Sequence, residues 1–190
     1  MGTLLFVQMS GCPGAGKSTI AREISKEING VILDLDLFKS TLLNNSIPWS
    51  SAGPIAYSIM LDMARYLLDQ RQSVIIDSPC FYDELLTSGL EMAASTEACY
   101  RYVECITEDI GLIGKRLRAR PPLRSQRRDL DAPSADFQQE ESISGEELFM
   151  TWIKGMKRPT NSYLSVDTSR SLEICTREVF GYLAECQESV

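Results

Sequence analysis

The stretch Gly11-Cys12-Pro13-Gly14-Ala15-Gly16-Lys17-Ser18 decides how the rest of the chain is read. It satisfies G-x-x-x-x-G-K-[ST] in full. It also follows an apolar run at 4–9 and precedes a segment of helical period, the strand–loop–helix setting that the pattern requires. The glycines let successive backbone N–H groups curl around a β-phosphate, and the helix start adds its partial positive charge. Lys17 is then placed to bridge the β- and γ-phosphates, Ser18 to ligate Mg²⁺ through its hydroxyl, and Thr19 to hydrogen-bond the α-phosphate. Cys12, Pro13 and Ala15 fill loop positions at which the backbone does the binding. The loop implies a nucleoside triphosphate but not its use. An N-K-x-D guanine motif and an L-S-G-G-Q signature are both missing, which leaves phosphoryl transfer from ATP to a small acceptor.

Outward from the loop, short β-rich apolar runs alternate with longer helical segments, the pattern of an α/β fold with a parallel sheet covered on both faces. Strands are expected at 4–9, 31–34, 73–77, 100–106 and 163–167. The first helix runs from Gly16 to about Ile28, where Asn29-Gly30 stops it. A second helical region follows Asp36. A longer helix is expected to bury the row Ile55, Ile59, Met63 and Leu67, and another begins near Tyr82. Thr107-Glu108-Asp109 opens the helix leading to Arg120, and Ser144 with Glu147 forms a capping box. Leu172, Cys175, Val179, Leu183 and Cys186 give the last helix a buried stripe. Residues 120–143 start with Pro121-Pro122, turn from basic to acidic and have no period, so a long mobile segment is expected there. The 190 residues suit one domain over 1–190, with a lid at about 116–143.

Composition narrows the chemistry. The chain has no histidine, which excludes a serine–histidine triad, a phosphohistidine intermediate and any imidazole metal site. A general base must then be a carboxylate, lysine, cysteine or tyrosine. Net charge is −7, yet seven of the 19 basic residues lie between Lys115 and Arg128 with no acidic residue among them. The six cysteines, at 12, 80, 99, 105, 175 and 186, form no C-x-x-C pair, and most are expected to be buried, reduced thiols of a cytoplasmic protein. No secretory signal is read at the start. The longest charge-free stretch, 40–61, carries Pro48 and Pro54 and is not a membrane span.

Two carboxylates close the second strand in Leu33-Asp34-Leu35-Asp36. Alternation would put Asp34 and Asp36 on one face at the carboxyl end of the sheet, where open α/β sheets bind ligands. Asp36 is assigned as the base that takes the acceptor's hydroxyl proton, and Asp34 as its orienting partner or an organiser of the metal's water shell. Asp77 ends Val74-Ile75-Ile76 and is the Walker-B-like carboxylate expected to hold Mg²⁺. Arg116 and Arg120, four apart on one helix face, and Arg124, Arg127 and Arg128 after them, read as a lid that stabilises the transferring phosphoryl group.

The phosphate loop, the Asp34/Asp36 strand end, Val-Ile-Ile-Asp-Ser-Pro at 74–79 and Arg-Leu-x-x-Arg at 116–120 together resemble the small P-loop kinases. More closely, they are similar to the AAA_33-type group of polynucleotide 5′-kinase domains, chloramphenicol phosphotransferase and zeta-toxin-like kinases. That resemblance implies a P-loop NTPase three-layer sandwich of strand order 2-3-1-4-5 and an Asp36 base. It further implies adenine held between Arg116 and the loop near Thr168, under a mobile lid.

The acceptor side departs from nucleoside monophosphate kinases. Between Asp36 and Asp62 the only cation is Lys39, and the turn after strand three reads Asp77-Ser78-Pro79-Cys80-Phe81-Tyr82 with no arginine. Lys39, Trp49, Tyr57, Phe81 and Tyr82 frame a weakly charged, partly aromatic pocket suited to a hydroxylated small molecule without a phosphate, with Arg124 and Arg127 reaching it from the lid. A polynucleotide or RNA 5′-hydroxyl acceptor and a non-catalytic nucleotide-binding module stay open as alternatives.

Overall fold

The structure, a computed structural model, describes residues 3–137, 143–160 and 163–186. Five parallel strands form one sheet: β1 (Leu5–Ser10), β2 (Val31–Asp34), β3 (Val74–Asp77), β4 (Cys99–Ile106) and β5 (Leu164–Asp167). Their order is β2-β3-β1-β4-β5, as the resemblance implied. The helices are α1 (Lys17–Ile28), α2 (Leu35–Asn44), α3 (Trp49–Asp69), α4 (Asp83–Thr96), α5 (Ile110–Ala119), α6 (Gly145–Gly155) and α7 (Leu172–Ala184).

The pleat of β1 sorts the core into two layers. Leu5, Val7 and Met9 pack with Ile20 and Ile24 of α1 and Cys175 and Val179 of α7. Phe6 points the other way, to Met60 and Leu68 of α3 and Leu85 and Met92 of α4. Successive side chains on a strand leave opposite faces, so a nearly solid apolar run is what a sheet covered on both sides needs. Since all five strands run parallel, their carboxyl ends, among them Ser10, Asp34 and Asp77, open onto one edge, and the connecting loops gather there.

The caps expected for α1 and α6 are present, whereas α5 begins later than expected, capped by Asp109 and not by Thr107. Asn29 closes α1 in the left-handed conformation, Asp109 starts α5 by accepting from Leu112 N–H, and the Ser144/Glu147 box opens α6.

Two buried faces differ from expectation, and one pair of cysteines is joined while the other four are buried and free, as expected of most. The face of α3 turned to the sheet is Ala52, Ala56, Met60, Ala64 and Leu68, whereas Ile55, Ile59 and Met63 are 38%, 36% and 40% exposed. A row rich in alanine lets the helix axis approach its neighbours closely, which the bulkier row one residue earlier would prevent. Cys99 and Cys186 are bridged, with Cα atoms 6.1 Å apart. The stretch after α7 returns beside the start of β4, a juxtaposition of residues far apart in the chain; Cys12, Cys80, Cys105 and Cys175 are the buried free thiols. In the last helix, Leu172 is exposed and Tyr182 is buried in its place.

Residues 120–137 contain no regular element but are packed, with Ser125, Arg127 and Ser134 buried. The remainder of the expected mobile segment, 138–142, lies outside the described residues.

Candidate active site

The loop between β1 and α1 has the backbone that its sequence demands. Gly11 and Gly14 have φ of 126° and 80°. A Cβ on Gly11 would collide with the Cys105 carbonyl, and one on Gly14 would lie 2.9 Å from Ile113 Cγ2, so no larger residue fits either position without a shift. Lys17 Nζ turns back over the loop, donating to Gly11 O at 2.9 Å and Cys12 O at 3.1 Å, which holds the ammonium at the loop's centre. Burial pushes the Cys12 thiol up, leaving a neutral filler.

Two cavities meet over this loop. One, of about 670 Å³, is lined by Gly14, Gly16, Lys17, Ser18 and Thr19 on one side and Arg116, Arg120, Gln126, Thr168 and Arg170 on the other. Arg116 spans its wall: Nη2 donates to Thr168 O at 2.6 Å, and Nη1 to Thr168 Oγ1 at 3.1 Å. The Thr168 hydroxyl in turn donates to Ala15 O at 2.8 Å, so the turn after β5, the end of α5 and the phosphate loop are stitched together. Arg116 and Thr168, paired in the expected adenine site, are thus brought into contact.

The second cavity, of about 520 Å³, is bordered by Pro54, Tyr57 and Leu61 of α3, Pro79, Phe81 and Tyr82 after β3, and Glu84, Leu85 and Ser88 of α4. Asp34, Asp36, Lys39 and Asp77 form its floor. The rings of Tyr57 and Tyr82 meet edge to face, 5.9 Å apart, and burial raises the Tyr57 phenol well above its ordinary value, keeping it neutral. Lys17, Ser18, Asp34 and Arg120 line both cavities.

The carboxylates sit differently from the strand-based expectation. β2 ends at Asp34, and Asp36 lies in the first turn of α2 rather than on the strand. Asp34 is the cap of that helix, its Oδ1 accepting from Asp36 N–H at 2.9 Å and Leu37 N–H at 3.3 Å. Asp34 and Asp77 are register partners in neighbouring strands. Burial, then the charges of Asp77 and Asp36, push the Asp34 carboxyl up to about 6. A group of like charges of this kind calls for compensating cations. Arg120 supplies one: its Nε is buried with no hydrogen-bond partner among the described residues, and burial lowers its pKa while Asp36, Asp34 and Asp77 pull it back up. The oxygen donors Ser18 and Asp77 also fit a hard divalent ion completed by phosphate and water.

The other lid arginines are engaged elsewhere. Arg124 is held bidentately by Asp136 at 2.7 Å. Arg127 is buried against the rings of Phe149 and Trp152 and donates to Leu130 O. Neither lines a cavity, so their expected reach to the acceptor is not what this arrangement provides. Trp49, expected on the acceptor side, does not line the second cavity. It packs on Phe137 and carries Lys39 Nζ over its ring at 3.4 Å, fixing that lysine without itself lining the second cavity. Helix α5 ends at Ala119, so Arg120 is its extended cap residue rather than a second member of a helical face.

Sequence reasoning overlooked Ser125 and Gln126, which hydrogen-bond the Asp36 carboxylate. Both stand between arginines, and charge was the louder signal there.

A family model described as an AAA domain matches residues 6–142. No curated protein matches the chain. Among solved structures, a Chloroflexus aurantiacus j-10-fl protein aligns with TM-score 0.71 at 18% identity, over 96% of this chain and 98% of that one. The Mycobacterium tuberculosis APS kinase in complex with AMPPNP and APS aligns with TM-score 0.65 at 18% identity, over 96% and 99%. A gluconokinase from Sinorhizobium meliloti 1021 gives 0.62 at 15% identity, over 99% and 96%. At these identities the likeness is one of fold.

Proposed function

The chain belongs to the AAA domain family AAA_33, and from that membership and its paired cavities we propose that it is an ATP-dependent phosphotransferase acting on a hydroxyl of a small molecule. The observation that carries this reading is the junction: Lys17, Ser18, Asp34 and Arg120 border the phosphate-loop cavity and the aromatic one at once. A phosphoryl group leaving a nucleotide in the first would pass between Lys17 and Arg120 into the second. That APS kinase and gluconokinase share the fold supports the same class.

In this reading Arg116 and Thr168 hold the nucleotide base, and the loop backbone with Lys17, Ser18 and Thr19 holds the phosphates. Ser18 and Asp77 would hold Mg²⁺, which when bound would supply positive charge against the triphosphate. Asp36 accepts the proton of the acceptor hydroxyl as that oxygen lines up with the γ-phosphate. Lys17 and Arg120 stabilise charge on the transferring oxygens. Only Lys39 and the shared Lys17 and Arg120 oppose four carboxylates at the second cavity. An acceptor without negative charge and with an apolar or aromatic portion suits such walls. A polynucleotide is less favoured because three of the seven basic residues at 115–128 are engaged within the chain, Arg118 by Asp129, Arg124 by Asp136 and Arg127 by burial.

The test is a panel of uncharged hydroxylated metabolites, nucleosides and 5′-hydroxyl oligonucleotides incubated with Mg-ATP and read by mass spectrometry for phosphoryl addition. Transfer to a small molecule, lost in Asp36→Asn with ATP binding retained, is the expected result. Intact ATP binding with no transfer across the panel would leave a nucleotide-binding module instead. Transfer confined to oligonucleotides and weakening steeply between about 50 and 200 mM salt would favour the polynucleotide reading.

A further inference from the structure

Among the described residues, the side chains of segment 120–137 that hydrogen-bond the Asp36 carboxylate are uncharged. Ser125 Oγ lies 3.0 Å from Asp36 Oδ1 and 3.1 Å from Asp36 O, sharing its single proton between them. Gln126 Nε2 donates to Asp36 Oδ2 at 2.8 Å. Both donors are themselves fixed. Ser125 N–H donates to Ser40 Oγ at 3.0 Å, and Ser40 Oγ donates back to Ser125 Oγ at 2.9 Å, with both serines buried. Gln126 Oε1 accepts from Leu123 N–H at 3.2 Å, which sets the orientation of its amide.

We infer that Ser125 and Gln126 are positioning residues for Asp36, gripping one carboxylate oxygen each and so setting the rotamer from which it takes the acceptor's proton. The inference rests on the phosphotransferase reading above. An ionised carboxylate offers about four lone-pair sites, so two such bonds orient it and still leave room for the acceptor hydroxyl. A base works only within hydrogen-bond reach of the proton it takes, and small misplacements are costly. Gln126 also lines the nucleotide cavity. One side chain therefore borders the donor's site and holds the base that serves the acceptor.

The test uses Mg-ATP with water as the acceptor and follows phosphate release in single turnovers, which needs no knowledge of the natural acceptor. Ser125→Ala and Gln126→Ala should each slow release about tenfold, with half-saturating ATP changed less than about twofold. Ser125→Thr, which keeps the hydroxyl, should recover most of the rate. In an Asp36→Asn background neither alanine substitution should slow release further, since residues that act through one group are not additive. Unchanged rates in the alanine variants, full additivity in that background, or faster release by Gln126→Ala would each overturn the inference alone. Absence of both phosphate release and transfer across the acceptor panel by the wild type, with ATP bound, would overturn the phosphotransferase reading and this inference with it.

Discussion

Arg116 grips the turn after β5 twice, through the carbonyl and the hydroxyl of Thr168, although the two residues are 52 apart in the chain. One side chain thereby ties the end of α5 to the far edge of the sheet and closes a wall of the phosphate-loop cavity. Replacing Arg116 with Ala should weaken ATP binding about tenfold, the loss expected of a charge-assisted contact. Thr168→Val should do less, because the carbonyl contact survives. Titration calorimetry with ATP would measure both, and unchanged affinity in the arginine variant would remove Arg116 from the nucleotide site.

Arg120 stands where the two cavities join, its Nε without a hydrogen-bond partner among the described residues. A guanidinium placed to meet charge that develops during transfer contributes to rate more than to binding. Arg120→Ala should therefore lower turnover by about 10³-fold while ATP affinity changes less than about threefold. A parallel loss of affinity would show that Arg120 holds the resting nucleotide instead.

Asp34 makes stability depend on pH. Its carboxyl is raised to about 6 from 3.8, so between those values the folded chain keeps a proton that the unfolded chain has released. Stability from this group is present below about pH 4, falls as pH rises through about 6, and stays lower above it. Asp34→Asn retains a side-chain oxygen for the cap on Asp36 and Leu37 and removes the charge. Without Mg²⁺ or nucleotide, the variant should be more stable than wild type at pH 7 by about 1 kcal/mol, after allowance for solvent screening at a partly exposed site. Urea titrations at pH 4 and pH 7 test this, and equal pH dependence in the two proteins would count against it.

Glu104 is buried near the carboxyl end of β4 and is held by Arg158 Nη2 at 2.7 Å and Nε at 2.8 Å. Arg158→Met would strand that carboxylate in the interior. A loss of about 3 kcal/mol in unfolding free energy is expected, and Glu104→Gln in the same background should restore part of it. Unfolding curves that coincide with wild type would mean that the pair contributes nothing net.

Much of this molecule is written in short-range pattern. The phosphate loop, the five strands and most of the caps depend on residues within one or two turns of each other, and each was legible because the spacing of its residues carries its geometry. The same holds for Asp34 and Asp77 at the strand ends, which a parallel sheet delivers to one edge, but not for Asp36, which lies in α2. The row of α3 that faces the core was misread because Ile55, Ile59 and Met63 are more apolar than the alanines beside them. Closeness of approach, a property of the packed pair of surfaces, decided in favour of the smaller side chains.

What the chain determined by itself was therefore a nucleotide loop on an α/β sheet with acidic strand ends and a basic segment to follow. Tertiary structure alone decided which of those charges meet. It spent Arg124 on Asp136 and buried Arg127 under Phe149 and Trp152. It left Arg120 between the cavities, joined Cys99 to Cys186, and set Ser125 and Gln126 on Asp36 across about 90 residues of chain. Contacts at such separations have no period for a sequence to display; they arise only when independently formed elements pack and their leftover donors and acceptors must find partners.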